Sequence, residues 1–330
     1  MKISVIGAGA WGTTIANILA SKGFDTVIWT FETDTEQTIN SKKENVTYLP
    51  GIKLDDKIKA TSNIKDAVKD AAVAIIAVPS KYLRSTLRSF SGQLSKDIVI
   101  LSLTKGIEKN TFKRPSEIIA EETGIDKIAV LSGPNLSREI AKGLPAASVV
   151  AAKDHATAKN LQDILSSEKL RIYTSNDIIG TEIGGAMKNV IAIAAGICDG
   201  LGLGNNAKSA LMVRGLAEIT RLGLALGAKA ETFYGLSGMG DLITTCESSL
   251  SRNNTVGKEI AQGKKIADIL KQTTAVPEGV ETASSAFDLA KKIGVEMPIT
   301  NEIYYVLFEG KDPKTAISML MARSPKKEQY

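Results

Sequence analysis

The chain begins Met1-Lys-Ile-Ser-Val-Ile6-Gly7-Ala-Gly9-Ala10-Trp11-Gly12-Thr13-Thr-Ile15. Lys2 to Ile6 is a short run rich in β-branched apolar residues, the composition of a buried strand. Gly7, Gly9 and Gly12 then follow at the G-x-G-x-x-G spacing. From Thr13 to Lys22 the apolar residues Ile15, Ile18 and Leu19 recur with a helical period. Strand, glycine-rich turn and helix therefore arrive in the order a dinucleotide site requires. Gly7 suits a tight turn, Gly9 lets backbone approach a pyrophosphate, and Gly12 lets the helix close on the strand. The start of the helix adds unpaired N–H groups and a positive dipole end. The loop announces a dinucleotide and leaves the reaction open.

Outward from the loop, residues 24–32 read as a second strand ending at Glu32. That is the position from which an acidic side chain reaches an adenosine ribose. No arginine occurs between Phe24 and Thr47, so NAD is the expected cofactor, although Lys42 and Lys43 could still reach the 2′-phosphate of NADP. Residues 33–62 are polar and read as a helix plus a loop carrying Pro50-Gly51. Strands follow at 73–78, 98–103, 128–131, 148–152 and 170–173, with helices at 64–71, 82–90, 116–122 and 156–165 between them. This alternation predicts a mostly parallel, doubly wound, Rossmann-type α/β domain. From about Thr181 only helical periods remain: 181–198, 208–227, 255–263, 266–272, 279–293, 298–309 and 312–322. The expected division is a dinucleotide-binding domain, 1–185, followed by an all-α substrate-binding domain, 186–330.

Composition bounds the rest. A 330-residue chain is long enough for two cores. A net charge of +5 suits anionic small molecules and lacks the dense basic run of a nucleic-acid binder. The apolar run after Lys2 is too short for a signal peptide, and no long uncharged apolar run predicts a membrane span. Cys198 and Cys246 give no disulfide framework, which points to a cytoplasmic protein. One histidine, His155, at an exposed helix start, and two remote cysteines leave no zinc site.

Three clusters could carry chemistry. Lys188 lies in Gly184-Gly185-Ala186-Met187-Lys188-Asn189-Val190-Ile191-Ala192. Its helical neighbours are small, which would leave room for a ligand, and an apolar setting would lower its pKa towards proton transfer. A lysine snorkelling from a helix end is the plain alternative. Gly235-Leu-Ser-Gly-Met-Gly-Asp241 reads as a flexible turn ending in a carboxylate, and Ser251-Arg252-Asn253-Asn254 gathers groups suited to phosphate oxygens. Lys105 and Asn135 follow strands at the ligand edge of the sheet.

Together these clusters resemble the bacterial-type, soluble NAD(P)-dependent glycerol-3-phosphate dehydrogenases over nearly the whole chain. The likeness is carried by Gly7-Ala-Gly-Ala-Trp-Gly12, Leu103-Thr-Lys-Gly106, Ser132-Gly-Pro134, Gly184-Gly-Ala-Met-Lys-Asn-Val-Ile191, Arg214-Gly-Leu-Ala-Glu218, Gly238-Met-Gly-Asp-Leu242, Ser251-Arg-Asn253, Pro277-Glu-Gly279 and Val295-Glu-Met-Pro-Ile-Thr300. The resemblance implies reversible hydride transfer between NAD(P)H and dihydroxyacetone phosphate, giving glycerol 3-phosphate for glycerophospholipid synthesis, in a homodimer. It implies that Lys188 is the proton acceptor. It places Lys105, Gly133, Asn135, Asp241, Ser251, Arg252 and Asn253 around the substrate, with Arg252 as phosphate anchor. It places Ala10, Trp11, Phe31, Lys105, Ser137, Arg252, Val276 and Glu278 near the cofactor, beside Gly7, Gly9, Gly12 and Glu32. Asn135 and Thr30-Phe31-Glu32 resemble the eukaryotic, NAD-specific branch, whereas the length and Ser-Gly-Pro motif look bacterial. A related β-hydroxyacid-type dehydrogenase is the alternative; it should lack Gly240-Asp241 and Ser251-Arg252-Asn253 in this order. A nucleotide-binding sensor would need no proton acceptor.

Overall fold

The computed structural model describes residues 1–272, 277–325 and 327–328. Eight strands form one sheet: β1 (Lys2–Ile6), β2 (Asp25–Trp29), β3 (Lys59–Thr61), β4 (Val73–Ile76), β5 (Val99–Ser102), β6 (Ile128–Ser132), β7 (Ala146–Ala152) and β8 (Leu170–Ser175). Their order across the sheet is β3-β2-β1-β4-β5-β6-β7-β8. Every pairing is parallel except β6 with β7. The architecture is thus a doubly wound, mostly parallel sheet followed by a helical region.

The strands are apolar on both faces, as helix-covered parallel strands must be. Ile3 and Val5 join a core with Ile15 and Leu19 of the first helix, Ala10–Ser21. Ile6 and Ile76 face the opposite layer, with Leu83, Leu87 and Phe90. The register pairs Ile6 with both Trp29 and Ile76, so β1, β2 and β4 end at one edge. Strand order reverses direction between β1 and β4, and such a switch point opens a crevice at the carboxyl ends.

One feature of the 33–62 segment differs from the sequence reading, and the direction of β7 adds detail to the mostly parallel sheet. Lys59–Thr61 is not loop but a three-residue edge strand beside β2; three residues are too few to show an alternation. β7 runs antiparallel to β6, and strand direction leaves no trace in local composition.

The helical region is built around one helix, Ile178–Gly200, buried at every residue from Gly180 to Cys198. It is long and apolar enough to cross a membrane, yet 89% of its apolar window is buried inside the chain. Its companions include Gly204–Ala225, Asp241–Glu247, Arg252–Ala261, Glu278–Ile293 and Pro298–Phe308. The segment after β5 ties the two regions together. Ile107 is buried in the helical core, Phe112 packs on it, and Arg114 lies 2.5 Å from Glu182 of the central helix.

Candidate active site

The glycine-rich loop has the shape its spacing predicts. Gly7 has φ +117°, a conformation that strains any residue with a Cβ. A Cβ on Gly12 would lie 2.0 Å from the Gly7 carbonyl oxygen, so helix and turn are in direct contact there. A Cβ on Gly9 would meet nothing within 4 Å. That open side is where a pyrophosphate would approach. The helix beginning at Ala10 has no acidic residue in its first turn and no side-chain cap, which leaves its N–H groups for an anion. Trp11 Nε1 is a buried donor without a protein partner. These residues fit a dinucleotide.

Phe31 is 82% exposed at the end of β2. Beside it Glu32 accepts from Tyr48 Oη at 2.8 Å and from Thr30 Oγ1 at 3.0 Å. Ser137 begins a short helix, Ser137–Ala141, and its carbonyl accepts from Thr14 Oγ1 at 3.3 Å. Val276 falls outside the described residues.

Across the crevice, three residues far apart in sequence converge. Lys105 Nζ lies 2.5 Å from Asp241 Oδ2, and Lys188 Nζ lies 2.8 Å from Asp241 Oδ1. Lys188 also donates to Thr245 Oγ1 at 2.7 Å, and Thr245 Oγ1 donates in turn to the Asp241 carbonyl at 2.6 Å. Lys105 donates a second bond to the Gly133 carbonyl at 3.3 Å. The central helix supplies Lys188, and the N-terminus of the Asp241–Glu247 helix supplies the carboxylate, where the dipole favours a negative charge. The cluster is buried, so its charges act through a low dielectric.

Burial alone would raise the Asp241 carboxyl, but Lys105 and Lys188 hold it below the usual range. Burial pushes Lys105 down to about 8, against the pull of Asp241 and with help from Lys188. Burial pushes Glu278 up to about 7, opposed by Arg252, Lys105 and Lys188. Lys105 and Lys188 therefore flank the carboxylate of Asp241, and both, with Arg252, oppose the rise of Glu278 towards neutrality. The excess positive charge suits a phosphorylated ligand.

Arg252 is exposed, and it follows Ser251, whose hydroxyl caps the Arg252–Ala261 helix by accepting from Asn254 N at 3.3 Å. Asn253 is turned inwards: its amide donates to Asn189 Oδ1 at 2.9 Å and accepts from Gly279 N at 3.1 Å. Asn135 Oδ1 accepts from Ser148 Oγ at 2.5 Å, while its Nδ2 is buried without a protein partner. Trp11 and Asn135 thus each leave a donor for a bound molecule.

Two expectations are corrected. Gly184 and Gly185 do not leave room beside Lys188. A Cβ there would lie 2.4 Å from the Ser237 carbonyl and 2.5 Å from Ser132 Oγ, so protein already fills the space. Residues Leu236–Gly240 are not an open turn but a π-helical turn, with Ser237 and Gly238 buried against the central helix. Both corrections have one cause: small residues bring the Asp241 helix close enough to Lys188 for contact. The sequence reading also passed over Thr245, which stands one helical turn beyond Asp241, and gave Ser132 only as part of a motif, whereas its hydroxyl lies 3.5 Å from Asp241 Oδ2.

Comparison with known proteins finds relatives along the whole chain. Residues 2–158 match the model of the NAD-dependent glycerol-3-phosphate dehydrogenase N-terminus, and residues 177–318 match that of the C-terminus. The chain is 46% identical to the glycerol-3-phosphate dehydrogenase (NAD(P)+) of Syntrophotalea carbinolica, over 99% of both chains. It is 47% identical to that of Geobacillus kaustophilus, over 99% of this chain and 96% of the relative. The crystal structure of glycerol-3-phosphate dehydrogenase from Coxiella burnetii superposes with a TM-score of 0.94 at 35% identity, covering 98% of this chain and 99% of that one. The chain belongs to the NAD-dependent glycerol-3-phosphate dehydrogenase family.

Proposed function

We propose that the chain catalyses the reversible, NAD(P)H-dependent reduction of dihydroxyacetone phosphate to glycerol 3-phosphate, feeding glycerophospholipid synthesis. The observation that carries this reading is the pair of lysines on the two oxygens of one buried carboxylate, Asp241, past the carboxyl ends of β5 and β6. A bound nicotinamide dinucleotide supplies the hydride. Gly7, Gly9, Ala10, Trp11 and Gly12 would hold its pyrophosphate end, and Phe31, Glu32, Ser137 and Glu278 would line the rest of its site. Glu32 at the end of β2 favours NAD over NADP.

In reduction, protonated Lys188 donates from Nζ to the C2 carbonyl oxygen; in oxidation it takes the proton back from the hydroxyl. Asp241 and Thr245 aim that Nζ. Lys105 adds positive charge where negative charge develops. Arg252 anchors the phosphate with its exposed fork, and Asn135 Nδ2 offers a further donor. Ser251 and Asn253 hold the Arg252 backbone in place. Asp241, Lys188 and Thr245 are buried, which limits the water around the Lys188 ammonium. The β-hydroxyacid-type alternative is not favoured, because family models match both halves of the chain.

The expected division at 185/186 falls inside the Ile178–Gly200 helix, so on this reading the dinucleotide-binding part ends with β8 at Ser175 and the helical part begins at Ile178. The protein is cytoplasmic, in keeping with its two free, buried thiols, and dimeric. Light scattering tests the dimer. The activity is tested by following NADH and NADPH absorbance with dihydroxyacetone phosphate. Consumption of cofactor is expected, and folded protein that consumes neither would overturn the reading.

A further inference from the structure

The segment between the Thr33–Lys42 helix and β3 is polar in sequence, yet it contains a side chain with no exposure at all, Asn45. Its Nδ2 donates to the Ala8 carbonyl of the glycine-rich loop at 2.7 Å and to Thr13 Oγ1 at 2.8 Å. Its Oδ1 accepts from the backbone N–H of Tyr48 at 3.0 Å. Tyr48 is half-buried, and its hydroxyl donates to Glu32 Oε1 at 2.8 Å. Thr30 Oγ1 donates to the other oxygen, Oε2, and accepts from Glu32 N at 3.3 Å. A continuous run of hydrogen bonds therefore joins the pyrophosphate loop to the acidic residue after β2.

Glu32 is exposed, and an exposed glutamate ordinarily samples several rotamers. Here each oxygen is held by its own donor. Each oxygen retains a free lone pair, so the carboxylate can still accept from a ribose hydroxyl. A phosphate in that hydroxyl's place would meet a negative charge unable to swing away. Burial and the neighbouring carboxylate together push the Tyr48 phenol up to about 12, so it remains a donor across the physiological range.

We propose that Tyr48, seated by Asn45 against the glycine-rich loop, is a positioning residue that fixes the Glu32 carboxylate and so sets the preference for a nicotinamide dinucleotide without a 2′-phosphate. The inference rests on the reading that Glu32 meets the adenosine ribose. Tyr48 acts only through Glu32, so its effect depends on the carboxylate being present.

The test measures dissociation constants for NADH and NADPH by quenching of the chain's two tryptophans, Trp11 and Trp29, without turnover. Wild type, Glu32→Gln, Tyr48→Phe and the double variant are compared, with unfolding temperatures to check that each is folded. Wild type is expected to bind NADH at least about tenfold more tightly than NADPH, and Glu32→Gln to abolish most of that ratio. Tyr48→Phe is expected to lower the ratio about fivefold in the wild-type background and to leave it unchanged beside Glu32→Gln. If Glu32→Gln leaves the ratio as it was, the reading of Glu32 fails and the proposal with it. If Glu32→Gln abolishes the ratio but Tyr48→Phe does not move it, or moves it equally in both backgrounds, the positioning role of Tyr48 is wrong and the reading of Glu32 stands.

Discussion

Replacing Asp241 by Asn removes the negative charge between two ammonium groups while nearly preserving shape. In the native protein the Asp241, Lys188 and Lys105 side chains are 2%, 11% and 13% exposed, and each lysine takes one carboxylate oxygen. An asparagine can accept from only one of them and turns an N–H donor towards the other. Removing one partner of a buried ion pair costs about 3–5 kcal/mol, because the remaining charge is uncompensated. That is a large part of a typical total stability of about 5–15 kcal/mol. One lysine is then expected to lose its proton. Lys105 is the more exposed to this, since burial already pushes it down to about 8 and Asp241 is the chief influence holding it up. The variant should therefore lose the Lys105 charge near neutral pH and the aim of Lys188 together. We expect kcat/KM for dihydroxyacetone phosphate to fall by about 10²–10⁴ and the unfolding temperature to drop by several degrees. The sign of the pH dependence follows from linkage. The depressed carboxyl of Asp241 stabilises the native state above its unfolded pKa of about 4 and stops doing so as pH falls through its folded value. The gap between wild type and variant should narrow towards acid pH. Thermal unfolding from about pH 2 to about pH 8, which spans the range below the unfolded carboxyl value, with steady-state NADH consumption near neutrality, measures both. An unfolding temperature within about one degree of wild type and kcat/KM within about threefold would refute the reasoning.

Other outcomes are equally open to measurement. Gly9→Ala should fold normally and weaken NADH binding by about tenfold or more, because its Cβ projects into open space. Gly12→Ala should instead unfold at markedly lower temperature, its Cβ meeting the Gly7 carbonyl; equal thermal stability of the two variants would contradict the assignment. Arg252→Ala should raise KM for dihydroxyacetone phosphate without changing thermal stability, and an unchanged KM and kcat would remove the phosphate anchor. Because Lys105 is pushed down to about 8, its charge is lost as pH rises through that value. KM for the phosphorylated substrate should rise above it, and Lys105→Gln should flatten that rise; a variant that keeps it would show another group to be responsible.

What could be read from sequence follows the range of the forces involved. The glycine-rich loop was legible because its spacing is local, with Gly12 packed on the Gly7 carbonyl, although Gly7 itself also packs on Ala77 and Val78 after β4. The helical half was legible because Ile178–Gly200 is apolar nearly all round, Glu182 and Lys188 being the charged exceptions within its buried part, a pattern that points to a core. Lys188, Asp241 and Arg252 could be singled out one at a time by residue type. That Asp241 joins Lys188 to Lys105 could not, since the contacts span 53 and 136 residues. Gly184 and Gly185 were misread for the same reason: small residues allow either a ligand or a neighbouring backbone, and only the fold says that Ser237 takes the space. Asn45 and Tyr48 carried no local signal, because their partners, Ala8 and Glu32, lie on other elements.

The most direct test of the account is kcat of Lys188→Ala with dihydroxyacetone phosphate and NADH both saturating, measured on protein whose NADH dissociation constant is that of wild type. If Lys188 moves the proton at the C2 oxygen, kcat falls by about 10²–10⁴ while cofactor binding is kept. A variant that binds NADH and turns over at the wild-type rate would contradict it.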